Sequence, residues 1–129
     1  VGLYDARNLS LRHYSKGMLE RIGLAASLIN DPKILILDEP TTGLDPIGCK
    51  ETRDLLIKLN QEGKTILLSS HFLSEVERVC TRIAIFHRGY LLTSGTLDGL
   101  LKEYQAGNLE DLFVKAIEKF DTVEEKQVV

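Results

Sequence analysis

Apolar residues recur along the chain in two rhythms. Leu19, Ile22, Gly23, Ala26 and Ile29 return at helical spacing behind Ser15, a good N-cap, so a helix is predicted over about 15–29, stopped at Asn30-Asp31-Pro32. Ile34-Leu35-Ile36-Leu37 then breaks that rhythm. It is an unbroken apolar run closed by Asp38 and Glu39, which predicts a strand buried on both faces of a parallel sheet. After the turn residues Pro40 to Gly43, Asp45 as N-cap and Pro46 at the first helical position open a second helix, which carries Leu55, Leu56 and Leu59 and ends near Gly63. Thr65-Ile66-Leu67-Leu68-Ser69 is the next strand. A helix between the two strands makes a βαβ unit with parallel pairing and a right-handed crossover.

Outside that unit the pattern is shorter-ranged. Residues 1–13 form a mixed lead-in, and Leu73 to Cys80 reads as a short helix. Arg82 to His87 and Tyr90 to Thr93, joined by Arg88-Gly89, predict a hairpin with a two-residue turn. Thr96 caps a helix with Leu97, Leu100, Leu101 and Tyr104; Asn108 caps another with Leu109, Leu112, Phe113, Ala116, Ile117 and Phe120. Both stripes are one-sided and read as packing surfaces. From Asp121 the chain turns charged and aperiodic, so residues 121–129 are expected to be a disordered tail. The fold class is α/β: a parallel sheet with flanking helices, then a β-hairpin and two C-terminal helices.

Composition narrows the function classes. With 129 residues, 43% hydrophobic and 27% charged, the chain fits one soluble globular unit or part of one. A net charge of −3, with sixteen scattered Lys and Arg residues, supplies no field for nucleic acid. Cys49 and Cys80 have no CxxC spacing and read as reduced packing thiols of a cytosolic protein. No apolar run approaches the ~20 residues that span a bilayer, and the first residues lack signal-peptide character, so any membrane link is expected to come through a partner. Val rather than Met at position 1 fits a chain that begins inside a longer protein.

Chemistry gathers at the strand ends. In open parallel sheets ligands collect outside the carboxyl ends of the strands, where Asp38, Glu39 and His71 all project. An apolar strand ending in Asp-Glu suits phosphoryl transfer, the first carboxylate holding Mg²⁺ through water and the second deprotonating an attacking water. The plainer alternatives are a solvated strand end and a hydrogen-bonded structural histidine. Ser15-Lys16-Gly17 at a helix start offers a hydroxyl, an ammonium and backbone N–H groups for an anion, or else a simple capped helix. Asp45 is by itself an N-cap.

Order and spacing bring these segments together. Tyr14-Ser15-Lys16-Gly17-Met18, Ile34-Leu35-Ile36-Leu37-Asp38-Glu39-Pro40, Thr42-Gly43-Leu44-Asp45-Pro46 and Ser69-Ser70-His71 closely resemble the signature motif, Walker B, D-loop and switch histidine of the ABC ATPases, in that order. The resemblance runs from about Tyr14 to Gly95, with a tail over Asn108 to Phe120 similar to that of many transporter ATPases. It implies a partial P-loop NTPase-type sheet, with residues 1–120 the C-terminal part of a nucleotide-binding domain. It also implies ATP and Mg²⁺ as ligands. Asp38 would hold the Mg²⁺ shell, Glu39 would be the general base and His71 would sense the γ-phosphate. Ser15, Lys16 and Gly17 would contact nucleotide held by an opposing subunit, and Asp45 would reach across the dimer interface. The implied partners are a second ATPase subunit, identical or different, and a transmembrane permease; no nucleic acid is expected. The implied location is the cytoplasmic side, peripheral at the inner face of the cell membrane. The family's LSGGQ signature is altered here, Tyr14 replacing Leu, Lys16 the first Gly and Met18 the Gln.

A P-loop, GxxxxGK[ST] between strand and helix, is not found in this stretch. Gly63-Lys64-Thr65 comes nearest, but the upstream glycine position is Lys58 and the segment leads into a strand. The expectation is therefore a transporter ATPase, an exporter by resemblance of its tail and of Ser69 to Val76, whose P-loop half lies upstream, so that this chain alone is inactive. The alternatives are a soluble non-transport ABC ATPase and a non-catalytic half-domain that presents its signature helix to a partner. Strands cut from their sheet are expected to leave open edges and exposed apolar faces.

Overall fold

The predicted βαβ unit is present in the computed structural model, which describes the backbone of residues 1–127 and the side chains of residues 1–122. The chain divides into two units, Val1–His71 and the remainder from Phe72. In the first, a 3₁₀ turn at Leu11–His13 precedes helix α1 (Lys16–Leu28), strand β1 (Ile34–Asp38), helix α2 (Pro46–Gln61) and strand β2 (Thr65–Ser69). β1 and β2 pair in parallel, with Ile34 opposite Thr65 and Asp38 opposite Ser69.

Local chemistry sets the boundaries of these helices. Ser15 accepts from the Met18 N–H and Asp45 from the Gly48 N–H, each satisfying an orphan donor of a first turn, and Pro46 needs no donor there. α2 ends in a Schellman motif: Gly63, at φ +92°, donates to the Asn60 carbonyl and Lys64 to that of Leu59. The two helices are bridged by Arg21 and Glu51, 2.7 Å apart. Leu24, Leu35, Leu56 and Leu59 are buried in this unit.

One expectation about β1 is corrected. Leu35 is buried, but Ile34 is 62% and Ile36 76% exposed, and Leu67 on β2 is 63% exposed. The strand is therefore covered on one face only. Alternate residues point to opposite faces, and only the face that carries Leu35 is covered. The sequence-based expectation of exposed apolar strand faces is met by the same three residues.

The second unit contains helix α3 (Leu73–Val79), strands β3 (Arg82–His87) and β4 (Tyr90–Thr96), and helices α4 (Leu97–Glu103) and α5 (Leu109–Gln127). β3 and β4 are antiparallel around Arg88-Gly89, whose φ values of +48° and +84° are those of a type I′ hairpin turn. β4 runs three residues beyond the predicted Thr93. Its ladder contains an irregularity at Ile85/Phe86. Thr96 and Asn108 cap the last two helices, accepting from Gly99 and Asp111. Ile85, Leu100, Leu109, Leu112 and Ala116 form the core, with Leu112 fully buried. α5 carries the backbone as a helix through Gln127, past the point where a disordered tail is expected from sequence; Val128 and Val129 of that stretch lie outside the described residues. No described helix is long and apolar enough to cross a membrane.

Candidate active site

The carboxyl end of β1 and the exit from β2 meet through four side chains. Parallel register sets Asp38 against Ser69, and the Ser69 hydroxyl donates to Asp38 Oδ1. The next residue, Glu39, has φ +49°, a left-handed backbone that costs a residue with a Cβ roughly 1–2 kcal/mol. Its N–H is held by both the Ser69 carbonyl, at 3.2 Å, and the Ser69 hydroxyl, at 3.1 Å. Its carboxylate is gripped on both oxygens: Oε1 lies 2.8 Å from His71 Nδ1, and Oε2 accepts from the Thr42 hydroxyl at 3.0 Å.

This clasp has an electrostatic consequence. The hydrogen bond with His71 holds the Glu39 carboxyl below the usual carboxylate range, and Thr42 adds to the effect against the opposing influence of partial burial. Glu39 is therefore ionised at neutral pH. An ionised carboxylate only accepts, so the proton of this contact sits on His71 Nδ1. Each carboxylate oxygen still has a second lone pair for a further donor such as water. An anchored carboxylate beside a second exposed carboxylate, Asp38, can order and deprotonate a water next to a cation-bound phosphate.

Asp38, Glu39 and His71 are thus brought together as the sequence predicts. The remaining candidates form a second group where the starts of α1 and α2 meet. Ser15 and Asp45 cap their own helices at 3.2 and 2.7 Å. Gly17 packs so closely that an added Cβ would lie 2.9 Å from Leu44 Cδ2. The Lys16 side chain lies across Gly43, where an added Cβ would meet its Cδ and Cε at 2.9 Å, and it stays 69% exposed. The turn 40–44 therefore links the two groups, touching Glu39 through Thr42 and α1 through Gly43 and Leu44.

Two participants, Ser69 and Thr42, carried no individual role in the sequence reading. Their signal lies in register and spacing: the residue opposite Asp38, and a hydroxyl three residues past Glu39, are placed to touch those acids. Gly63-Lys64-Thr65 is accounted for structurally, since Gly63 ends α2 and Lys64, its side chain 13% exposed, pairs its ammonium with Asp31 and the Pro32 carbonyl. Burial pushes the Cys80 thiol up, as suits a packing cysteine. Among the described residues no group of three or more His, Cys, Asp or Glu could hold a metal ion by itself.

Comparison with known proteins follows the same lines. The family model described as "AAA domain, putative AbiEii toxin, Type IV TA system" matches residues 4–77, more than half of the chain. An uncharacterised ABC transporter ATP-binding protein of Nostoc sp. is 54% identical over 101 residues, covering 78% of this chain and 30% of the relative. The lantibiotic transport ATP-binding protein SrtF of Streptococcus pyogenes is 45% identical over 113 residues, covering 88% of this chain and 47% of the relative. A solved ATP-binding subunit of an ABC transporter superposes with a TM-score of 0.75 at 31% identity, over 82% of this chain and 45% of that one. The chain spans less than half the length of these relatives. With an AAA-type domain matched over most of its first unit and both sequence and fold shared with ATP-binding subunits, the chain belongs to the ABC transporter ATP-binding family.

Proposed function

We propose that this chain supplies the hydrolytic acids and the signature helix of an ATP-hydrolysing ABC transporter subunit. The observation that carries the reading is the clasp on Glu39: an ionised carboxylate held by His71 and Thr42, one residue beyond Asp38 at the carboxyl end of a parallel pair. Glu39 takes a proton from water as the water oxygen bonds to the γ-phosphorus and the bond from that phosphorus to the bridging oxygen of ADP breaks. His71 keeps Glu39 ionised and aimed. Ser15, Lys16 and Gly17 contact the γ-phosphate of nucleotide held by a second subunit, identical or not, and Asp45 approaches the same interface.

Asp38 fits a Mg²⁺ site of the kind completed by substrate. Mg²⁺ takes hard oxygen ligands, keeps several waters, and is commonly held by one or two carboxylates plus substrate phosphates. An exposed aspartate with no full protein cage around it among the described residues suits that mode. When bound, Mg²⁺ would neutralise charge on the triphosphate.

SrtF is named for lantibiotic transport, and this chain shares with it a 113-residue stretch. That relationship and the C-terminal helices favour an exporter, acting with a transmembrane permease at the cytoplasmic face of the membrane. No GxxxxGK[ST] occurs among the 129 residues, so the nucleotide's phosphates need a P-loop from outside this stretch. The test is Mg²⁺-dependent ATP hydrolysis by the chain alone and with the P-loop-bearing portion supplied. No turnover alone and turnover on combination is the expected result; turnover by the chain alone overturns the reading.

A further inference from the structure

We propose that Ser69 is a positioning residue for both acids, its hydroxyl setting the direction of the Asp38 carboxylate and the left-handed backbone of Glu39. The inference rests on the function proposed above and assigns a role within that site. One hydroxyl makes both contacts: it donates to Asp38 Oδ1 and accepts the Glu39 N–H at 3.1 Å. Its donor and an acceptor lone pair are thereby engaged at once, which fixes its rotamer.

Three features separate this from an ordinary strand-end serine. First, Ser69 is exposed, so no burial penalty demands that its hydroxyl find a partner inside the protein. Second, it ends a strand, Thr65–Ser69, whose three central residues are apolar, at a position where Val or Thr would suit the extended backbone better. Third, it bonds at the φ +49° position, where the backbone needs outside support to stay. With Oδ1 held, rotation of the Asp38 carboxylate about its last bond is restricted, and so is the direction of its second oxygen. Two residues on, His71 holds the side chain of Glu39, so the segment 69–71 orients one acid through its carboxylate and the other through backbone and side chain. Partners that orient metal-ligating carboxylates typically matter 10–100-fold for metal affinity or activity.

Val and Thr are close in shape and both suit a strand, so comparing Ser69→Thr with Ser69→Val isolates the hydroxyl from the change in side-chain size that Ser69→Ala adds. The readout is equilibrium Mn²⁺ binding, by electron paramagnetic resonance, to the complete P-loop-bearing protein with a non-hydrolysable ATP analogue, alongside steady-state turnover. Ser69→Val is expected to weaken Mn²⁺ roughly 10-fold, with Ser69→Thr within about twofold of wild type. Equal affinities for the Thr and Val variants overturn the inference. Asp38→Asn is the reference arm. If it weakens Mn²⁺ while Ser69→Val does not, only the role of Ser69 falls; if it leaves Mn²⁺ unchanged, the Asp38 assignment beneath the inference falls as well.

Discussion

Replacing Glu39 by Gln separates the catalytic reading of the clasp from a structural one. Glutamine has the same shape; its amide oxygen accepts from Thr42 and its amide nitrogen donates to His71 Nδ1 once that imidazole takes its other tautomer, so both contacts survive. What is lost is the charge on the acceptor, and with it the base. The pair is solvent-screened, with side chains 32% and 60% exposed, and such surface pairs contribute about 0.2–1 kcal/mol. A general base contributes roughly 10²–10⁴-fold, which is about 2.7–5.4 kcal/mol of barrier. The variant should therefore lose less than about 1 kcal/mol of stability and bind ATP normally, while its turnover falls at least about 100-fold. Steady-state ATP hydrolysis, equilibrium nucleotide titration and denaturant unfolding on the complete protein measure the three quantities. Turnover within about threefold of wild type refutes the general-base assignment. A stability loss comparable to the barrier change would return the clasp to a structural role.

His71→Ala removes the group that aims Glu39 and should slow hydrolysis by about 100-fold, as loss of one preorganised donor commonly does; near-wild-type rates would leave it a structural histidine. The acid side of the stability profile has a defined sign. Glu39 titrates lower in the folded chain than in the unfolded one, so its contribution is present above the ordinary carboxylate range and disappears as pH falls through the lowered value. The melting-temperature gap between wild type and Glu39→Gln should accordingly close in acid, and a gap that widens there contradicts the assignment. Leu112→Ala empties a fully buried position and should cost about 2–5 kcal/mol in urea unfolding; a loss under about 1 kcal/mol would mean the α5 core collapses to fill it. Gly43→Ala places a Cβ at φ +82° and against the flexible Lys16 side chain, so about 1–2 kcal/mol is lost through the backbone. Lys16→Ala should not restore it, and full rescue would show that contact rather than conformation was responsible.

What the amino-acid sequence determines by itself is local. Ser15, Asp45-Pro46, Gly63, Arg88-Gly89, Thr96 and Asn108 act through hydrogen bonds and dihedral preferences a few residues wide, and the elements they bound fall within a few residues of their predicted ends, except for the C-terminal end of α5. The rim was legible for a related reason: a βαβ unit places its strand ends together, so Asp38, Glu39 and His71 follow from strand polarity alone.

The three-dimensional fold decided what depends on partners distant in sequence. Whether both faces of β1 are covered depends on how many layers pack against it, which its apolar run does not encode, and Ile34 and Ile36 are open. The left-handed turn at Glu39, the grip of Thr42 and His71, and the double contact of Ser69 arise only once parallel register sets Asp38 opposite Ser69, 31 positions away. Caps and periodicity are properties of a segment and survive in its sequence; the aim of a carboxylate is set by atoms that chain folding brings beside it.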